Sequence, residues 1–388
     1  MKHPAPAVAV VCALALPALA ACTDNSATAR KGDSRTISVT STDTSCTLSR
    51  HEAPSGNLVY TVKNKGTTVT EFYLYAADGR RVVGEVENVG PGLSRDLVLD
   101  VPPGRYVPAC KPGMLGKGIR STFTVTDSGE KRGVAGAGSR QIATATVQYK
   151  AYVADQADLL LTGTKRFLAA YTSGDDARAR RLYAETRVHW ERIEPVAVSF
   201  GDLDPRMDLR EADLSQDQEW TGWHRIEKDL WPPGSGYTPL SAGQRSAYAG
   251  RLLTDTRTLR ARVAKLSFTV DQIGNGAKSL LDEVAKTKVT GEEETWSHTD
   301  LYDFAANVDG ARVGFEGLRP VLSQTDPALE RQVATRFAAL QRLLGRHRTG
   351  SGGFVSYASL STAEVKQLSD AVNALSEPLS RLTAAVTL

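Results

Sequence analysis

The hydrophobic pattern changes its period once, about a third of the way along the chain, and a sequence that does this has to build two different cores. Between residues 35 and 127 apolar residues alternate with polar ones: Leu58, Tyr60 and Val62, then Phe72 and Leu74, then Leu97, Leu99 and Val101, then Phe123 and Val125. Successive side chains of a strand point to opposite faces, so a period of two means strands buried on one side. The runs stop at turn chemistry, at Asn64-Lys65-Gly66, Asp78-Gly79, Pro91-Gly92 and Pro102-Pro103-Gly104. This spacing predicts a small antiparallel β-sandwich over residues 35–127. Residues 128–140 have no period and read as a linker.

From residue 141 to 388 the period is helical, clearest in Leu252, Thr256, Leu259, Val263, Leu266, Val270 and Ile273. Breaks are expected at Ser173-Gly174, Asp202 to Pro205, Pro232-Pro233-Gly234, Gly274 to Gly276, Asp309-Gly310 and Gly350 to Gly353. The prediction is a bundle of roughly seven helical segments.

The first residues determine the compartment. Lys2 and His3 precede an apolar run, Val8 to Leu16, which breaks at Pro17 and ends in Leu19-Ala20-Ala21-Cys22. The run is shorter than the roughly 20 residues that span a bilayer, so it reads as a lipoprotein signal peptide over residues 1–21, with Cys22 acylated and residues 22–34 as a tether. The alternative is an ordinary signal followed by a free thiol. The expected place is the outer face of the cytoplasmic membrane, lipid-anchored, or the periplasm. Losing Lys2 takes the net charge from +3 to +2, which argues against a nucleic-acid partner. Cys46 and Cys110 then remain, a pair that can form a disulfide outside the cytoplasm.

Carboxylates fall on apolar faces in three places. Around Gln218 to Trp231, the residues Trp220, Trp223, Ile226, Leu230 and Trp231 form a stripe that also holds His224 and Glu227, three apart and so neighbours on one face. Glu194 borders the stripe of Trp190, Ile193, Ala197 and Phe200, with Glu191 further round. The stripe of Leu301, Phe304 and Val308 continues back over Ser297, Glu293 and Glu294. An unpaired carboxylate costs several kcal/mol to bury, so these acids need a shared cation or internal salt bridges. Oxygen ligands with one imidazole suit iron, manganese or zinc.

The words Glu191-Arg192-Ile193-Glu194-Pro195, Ser199-Phe200-Gly201-Asp202-Leu203-Asp204, Gly222-Trp223-His224-Arg225-Ile226-Glu227, Gly291-Glu292-Glu293-Glu294 and Ser297-His298-Thr299-Asp300-Leu301 follow in that order. With them the helical part resembles the imelysin-like domain of the EfeO family of iron-uptake components, and the β part resembles the cupredoxin-like domain ahead of it. The resemblance implies an all-β cupredoxin-like Greek-key sandwich followed by an all-α imelysin-like helical bundle. It further implies an extracytoplasmic protein that binds Fe²⁺ or Fe³⁺ and works with a membrane permease and a Dyp-type haem peroxidase. The HxxE pair, His224 and Glu227, would carry the metal, with Glu191, Glu194, Glu293 and Glu294 as the matching remaining candidates and His298 and Asp300 in support. In the β domain it implies a second metal site, for copper or iron, at Cys46, Cys110 and Glu71, beside the disulfide reading. A type 1 copper centre needs two histidines, and His51 is the only one between residues 23 and 188.

A rival function is a metal-dependent hydrolase with Glu227 or a neighbour as general base. Inverted zinc peptidases place a second His directly after the Glu, where this chain has Lys228.

Overall fold

The computed structural model describes residues 34–79, 82–114, 116–129, 138–216, 218–234, 236–286 and 288–388. The expected signal peptide, the acylated Cys22, the tether up to residue 33 and the middle of the expected linker lie outside the described residues.

The strands are β1 (Thr36–Ser41), β2 (Cys46–Leu48), β3 (Glu52–Pro54), β4 (Gly56–Asn64), β5 (Thr70–Ala76), β6 (Val82–Val89), β7 (Ser94–Val101), β8 (Gly104–Pro112), β9 (Ile119–Arg120) and β10 (Phe123–Thr126). One sheet runs β2-β1-β4-β7; the other runs β3-β10-β8-β5-β6, with β9 on β8. Alternation sets the core, where Ile37, Tyr60, Val62 and Leu99 of the first sheet meet Phe72, Leu74, Phe123 and Val125 of the second. The sandwich is not antiparallel throughout: β1 runs parallel to β4 and β3 parallel to β10. Alternating hydrophobicity reports which face is buried and is blind to strand direction, so the pattern could not show this. Cys46 on β2 and Cys110 on β8 form a disulfide that joins the two sheets.

The helices are α1 (Ser139–Thr172), α2 (Asp176–Glu191), α3 (Leu203–Asp208), α4 (Trp223–Leu230), α5 (Ala242–Val263), α6 (Val270–Lys286), α7 (Asp300–Thr325), α8 (Pro327–Gly345), α9 (Thr362–Leu379) and α10 (Leu382–Thr387). That is ten among the described residues, where roughly seven were expected. A 3-10 turn, Glu194–Phe200, follows α2. Starts carry the expected chemistry: Asp175 caps α2, and Ser241 with Gln244 and Ser361 with Glu364 form capping boxes on α5 and α9. Helix α7 packs against α1, α2, α6 and α8, which puts its first turns in the middle of the bundle.

Two expected breaks are absent. Helix α6 runs through Gly274 and Gly276, and α7 runs through Gly310. A Cβ on Gly276 would lie 2.0 Å from the Pro195 carbonyl oxygen, and one on Gly310 would lie 2.3 Å from that of Arg192. These glycines let two helices press against the backbone that leaves α2. The real break falls between Val263 and Val270, inside what looked like one continuous stripe.

The outward side of the sandwich is fastened to α6. Asn275 donates to the Val98 carbonyl at 2.9 Å, and Lys286 lies 3.5 Å from both Glu71 and Glu87.

Candidate metal centre

Six chain segments deliver charge to one buried place. Helix α2 contributes Arg187 and Glu191, one turn apart and both wholly buried. Glu194 opens the 3-10 turn, Asp208 ends α3, and α4 brings His224 and Glu227. The loop before α7 adds Lys288, Glu293 and Glu294, and the first turn of α7 adds Asp300 and Asp303. Residues 291–299 are an irregular turn rather than the helix implied by their spacing, yet Glu293 and Glu294 still point inward. Likewise α4 begins only at Trp223, so Trp220 precedes it and donates its indole N–H to the Leu209 carbonyl at 2.7 Å.

Gly222 explains how the third and fourth segments meet. Its φ of 89° favours glycine, and a Cβ there would stand 2.1 Å from the Met207 carbonyl oxygen. The start of α4 therefore lies directly on the end of α3, one residue from Asp208.

The centre has two ends. At one, Lys288 Nζ donates to Glu191 Oε2 at 2.8 Å and Glu194 Oε2 at 2.7 Å, and Asn307 Nδ2 donates to the same two oxygens at 3.0 and 2.7 Å. Burial opposes the charge on Lys288, but Glu191, Glu194 and Glu293 outweigh it and hold its pKa well above the usual value. These two carboxylates are thus already matched by a built-in cation.

The other end is different. His224 is wholly buried. Its Nδ1 lies 3.2 Å from Glu227 Oε2, and Glu227 Oε1 accepts the backbone N–H groups of Trp296 at 3.0 Å and Ser297 at 2.7 Å. The opposite nitrogen, Nε2, has no hydrogen-bond partner; it lies 3.5 Å from Asp208 Oδ1 and 3.6 Å from Glu293 Oε1. Asp208, His224 and Glu293 can each offer one ligand atom with all three inside 4.8 Å of one another, as can His224, Glu227 and Glu294. Asp303 has both carboxyl oxygens, and Asp300 its Oδ2, buried without a hydrogen bond.

Arg187 lies between the ends, paired with Asp208 and Glu191 and 2.7 Å from Glu294. Counting Glu191, Glu194, Asp208, Glu227, Glu293, Glu294, Asp300 and Asp303, eight carboxyls face two wholly buried permanent cations, Arg187 and Lys288, with Arg210 at the edge 3.7 Å from Glu293. The surplus has to be met by protons or by further cations. Burial first, then like charge, holds Glu194, Glu294 and Asp303 well above the usual carboxylate range and pushes Asp300 up to about 6. Burial and Arg187 oppose the charge on His224, but Glu227, Glu293 and Asp208 outweigh them and raise it to about 9. Glu293 is also opposed by burial, yet Lys288, His224 and Arg187 keep it low.

These shifts set a pH dependence. Carboxyls and a histidine with raised folded pKa values bind protons that the unfolded chain has released, so the stability they contribute is lost as pH rises above the unfolded values. For Asp300 the loss runs from about pH 4 to 6, and for His224 from about 6.5 to 9. The lowered Glu293 and Glu227 lose stability only at acidic pH, below that window. The metal-free protein is therefore expected to melt roughly 3–6 °C lower at pH 8 than at pH 5 in calorimetry.

The remaining expected residues stay apart from this centre. The His298 side chain is exposed, so its expected supporting role is corrected; at φ 54° it serves the turn through its backbone. Asp300 does support the loop, its Oδ1 accepting the Glu294 N–H at 3.1 Å. In the β domain, Cys110 pairs in register with Phe72 and both face the sandwich core. Glu71, the next residue along β5, faces the other side, where Tyr73 donates to it at 3.2 Å. With the sulfurs joined and the carboxylate behind the sheet, Cys46, Cys110 and Glu71 do not form a metal site. Lys228, at the position where a peptidase would need a histidine, reaches out to Glu211 at 2.5 Å. Asp208, Arg187, Lys288 and Asp303 were missed by sequence reasoning.

Comparison with known proteins agrees with the two-part architecture. The imelysin family matches residues 145–382 and the cupredoxin-like domain family matches residues 10–125. The iron uptake system component EfeO of Escherichia coli strain K12 is 36% identical over 361 residues, covering 91% of this chain and 92% of that protein, and EfeO of Shigella flexneri matches to the same extent. A crystal structure from Parabacteroides distasonis, of an iron-regulated protein A precursor, overlaps 67% of this chain and 97% of its own at 15% identity and a TM-score of 0.48, too loosely to place any residue.

Proposed function

The chain belongs to the imelysin family and, within it, to the EfeO-type proteins that carry a cupredoxin-like domain, and from that premise we propose that it captures iron outside the cytoplasm for an uptake system. In this reading Asp208, His224 and Glu293 hold the ion, and Glu227 fixes the ring so that Nε2 faces it. A metal-ligating histidine characteristically donates its other N–H to a carboxylate, which selects the tautomer and raises ligand basicity. The observation that carries the proposal is the buried Nε2 of His224, without a hydrogen bond and facing two carboxylate oxygens at 3.5 and 3.6 Å. Glu294 and Asp303 stand ready to release protons as iron enters, while Glu191 and Glu194 remain with Lys288. Mixed oxygen and imidazole donors suit Fe²⁺ or Fe³⁺, and also Zn²⁺, better than copper(I).

No helix among the described residues is long and apolar enough to cross a membrane, so the proposed attachment is the acylated Cys22 behind the 1–21 signal. Iron would pass to a membrane permease, with a Dyp-type haem peroxidase as the third component. Hydrolysis gains no support from Lys228.

A second reading has one observation in its favour: Arg187 and Lys288 are wholly buried and already paired, so the acids could be a closed ion-pair network. Titration calorimetry with Fe(II), Fe(III), Cu(II) and Zn(II) separates the two. Iron is expected to give saturable heat with proton release and, at about 100 times Kd, a rise in Tm of roughly 3–6 °C. A Tm unmoved by saturating iron overturns the proposal and favours the ion-pair network.

A further inference from the structure

We infer that the cleft between β6 and α6 is the entrance through which a hydrated divalent cation reaches the buried centre, and that Glu85 and Glu87 of the β domain steer it inward. The inference rests on reading the centre as an iron site.

The cleft, about 610 Å³, has β6 on one side and α6, α3 and the 3-10 turn on the other. Its wall includes Glu194, Asp208 and Glu293, so its inner end is the centre itself. A second cleft of about 570 Å³, along α1 and α7, is lined by none of the centre's carboxylates. An ion approaching by that route would still have to cross packed helices.

Charge favours the same route. Glu85, Glu87, Asp204, Asp213, Asp271 and Glu283 line the cleft, whereas the basic side chain on this wall is Arg210, with Lys286 3.5 Å from Glu87 behind it. Burial first pushes Glu85 up to about 8 and Asp204 and Glu283 up to about 7, so these carboxyls give up protons as a cation arrives and reach full charge only above neutral pH. A narrow groove with one sign of charge and low-dielectric walls concentrates its field and raises the local concentration of the opposite ion. Two further observations point to a cation rather than to solvated acids. Asp271 is 4% exposed and lines the cleft with Oδ1 lacking any hydrogen-bond partner. At the inner end Nε2 of His224 likewise makes no hydrogen bond and is directed at two oxygens of the wall residues Asp208 and Glu293. Arg210 stands at the threshold, bonded to Asp213 at 2.7 Å and 3.7 Å from Glu293, where its charge opposes an entering cation. The β domain thereby gains a part in capture without ligating anything: it supplies half of the doorway.

The test is anaerobic stopped-flow mixing with Fe(II), read by tryptophan fluorescence, since Trp190 donates to Asp208 at 2.6 Å. At about pH 8, where Glu85 is about half ionised, the Glu85→Gln/Glu87→Gln protein is expected to bind at least ~5-fold more slowly than the parent at ~10 mM salt, and Arg210→Gln to bind faster, with both differences shrinking at ~0.5 M salt. Glu85 and Glu87 repel each other, Lys286 keeps Glu71 when Glu87 is changed, and Arg210 is partly exposed, so both variants are expected to fold. Unchanged association rates in both variants at low salt overturn the entrance while leaving the centre intact. No Fe(II) binding by the parent overturns the centre and the entrance together.

Discussion

His224→Ala is expected to weaken iron binding by about 100-fold or more in titration calorimetry, the upper end of what changes around a metal cost. The variant loses the nitrogen that faces Asp208 and Glu293, and those two carboxylates are left close to Arg187 and Lys288, which then compete for them. Glu227→Gln is the informative companion. It keeps the imidazole but weakens the acceptor for Nδ1, so a milder loss, about 10-fold, is expected. Equal iron affinity in His224→Ala and the parent, both still folded by circular dichroism, would remove His224 from the site.

Arg187→Met is expected to lower the Tm of the metal-free protein at pH 8 by roughly 5–10 °C, from a cost of about 3–5 kcal/mol for stripping one partner from a buried ion pair. Arg187 is wholly buried and touches Asp208, Glu191, Glu293, Glu294 and Asp303, so no single protonation can replace it. The loss should be smaller at pH 5, where the raised carboxyls already hold protons. Saturating iron should also return part of it, because an incoming cation answers the same surplus of negative charge. Full loss at both pH values, with no recovery in iron, would mean that Arg187 acts by shape rather than charge.

The two-domain plan was legible because it depends on which faces are apolar, and alternation or helical spacing records that directly. His224 and Glu227 were legible for the same reason, being polar residues on an apolar stripe. Glu293 and Glu294 were reached by extending a helix that does not exist; burial was right because the turn folds back on the same core through Asp300. Asp208 could not be found this way, since it ends a six-residue helix too short to show a period. Gly276 and Gly310 misled because glycine serves both to end helices and to let backbones touch, and only the neighbouring carbonyls tell the two apart; Gly274 instead makes room for the Thr383 hydroxyl. The cations Arg187 and Lys288 were overlooked because a lone base in a sequence gives no sign of the acids that will surround it.

The seam at Gly222 has a last consequence. Because α4 rests on the Met207 carbonyl without an intervening side chain, the approach of the start of α4 to the end of α3 is set by main chain against main chain. Any side chain larger than hydrogen at position 222 would push α4 off the end of α3 and carry His224 away from Asp208 without touching either residue, so Gly222 governs the centre from outside it.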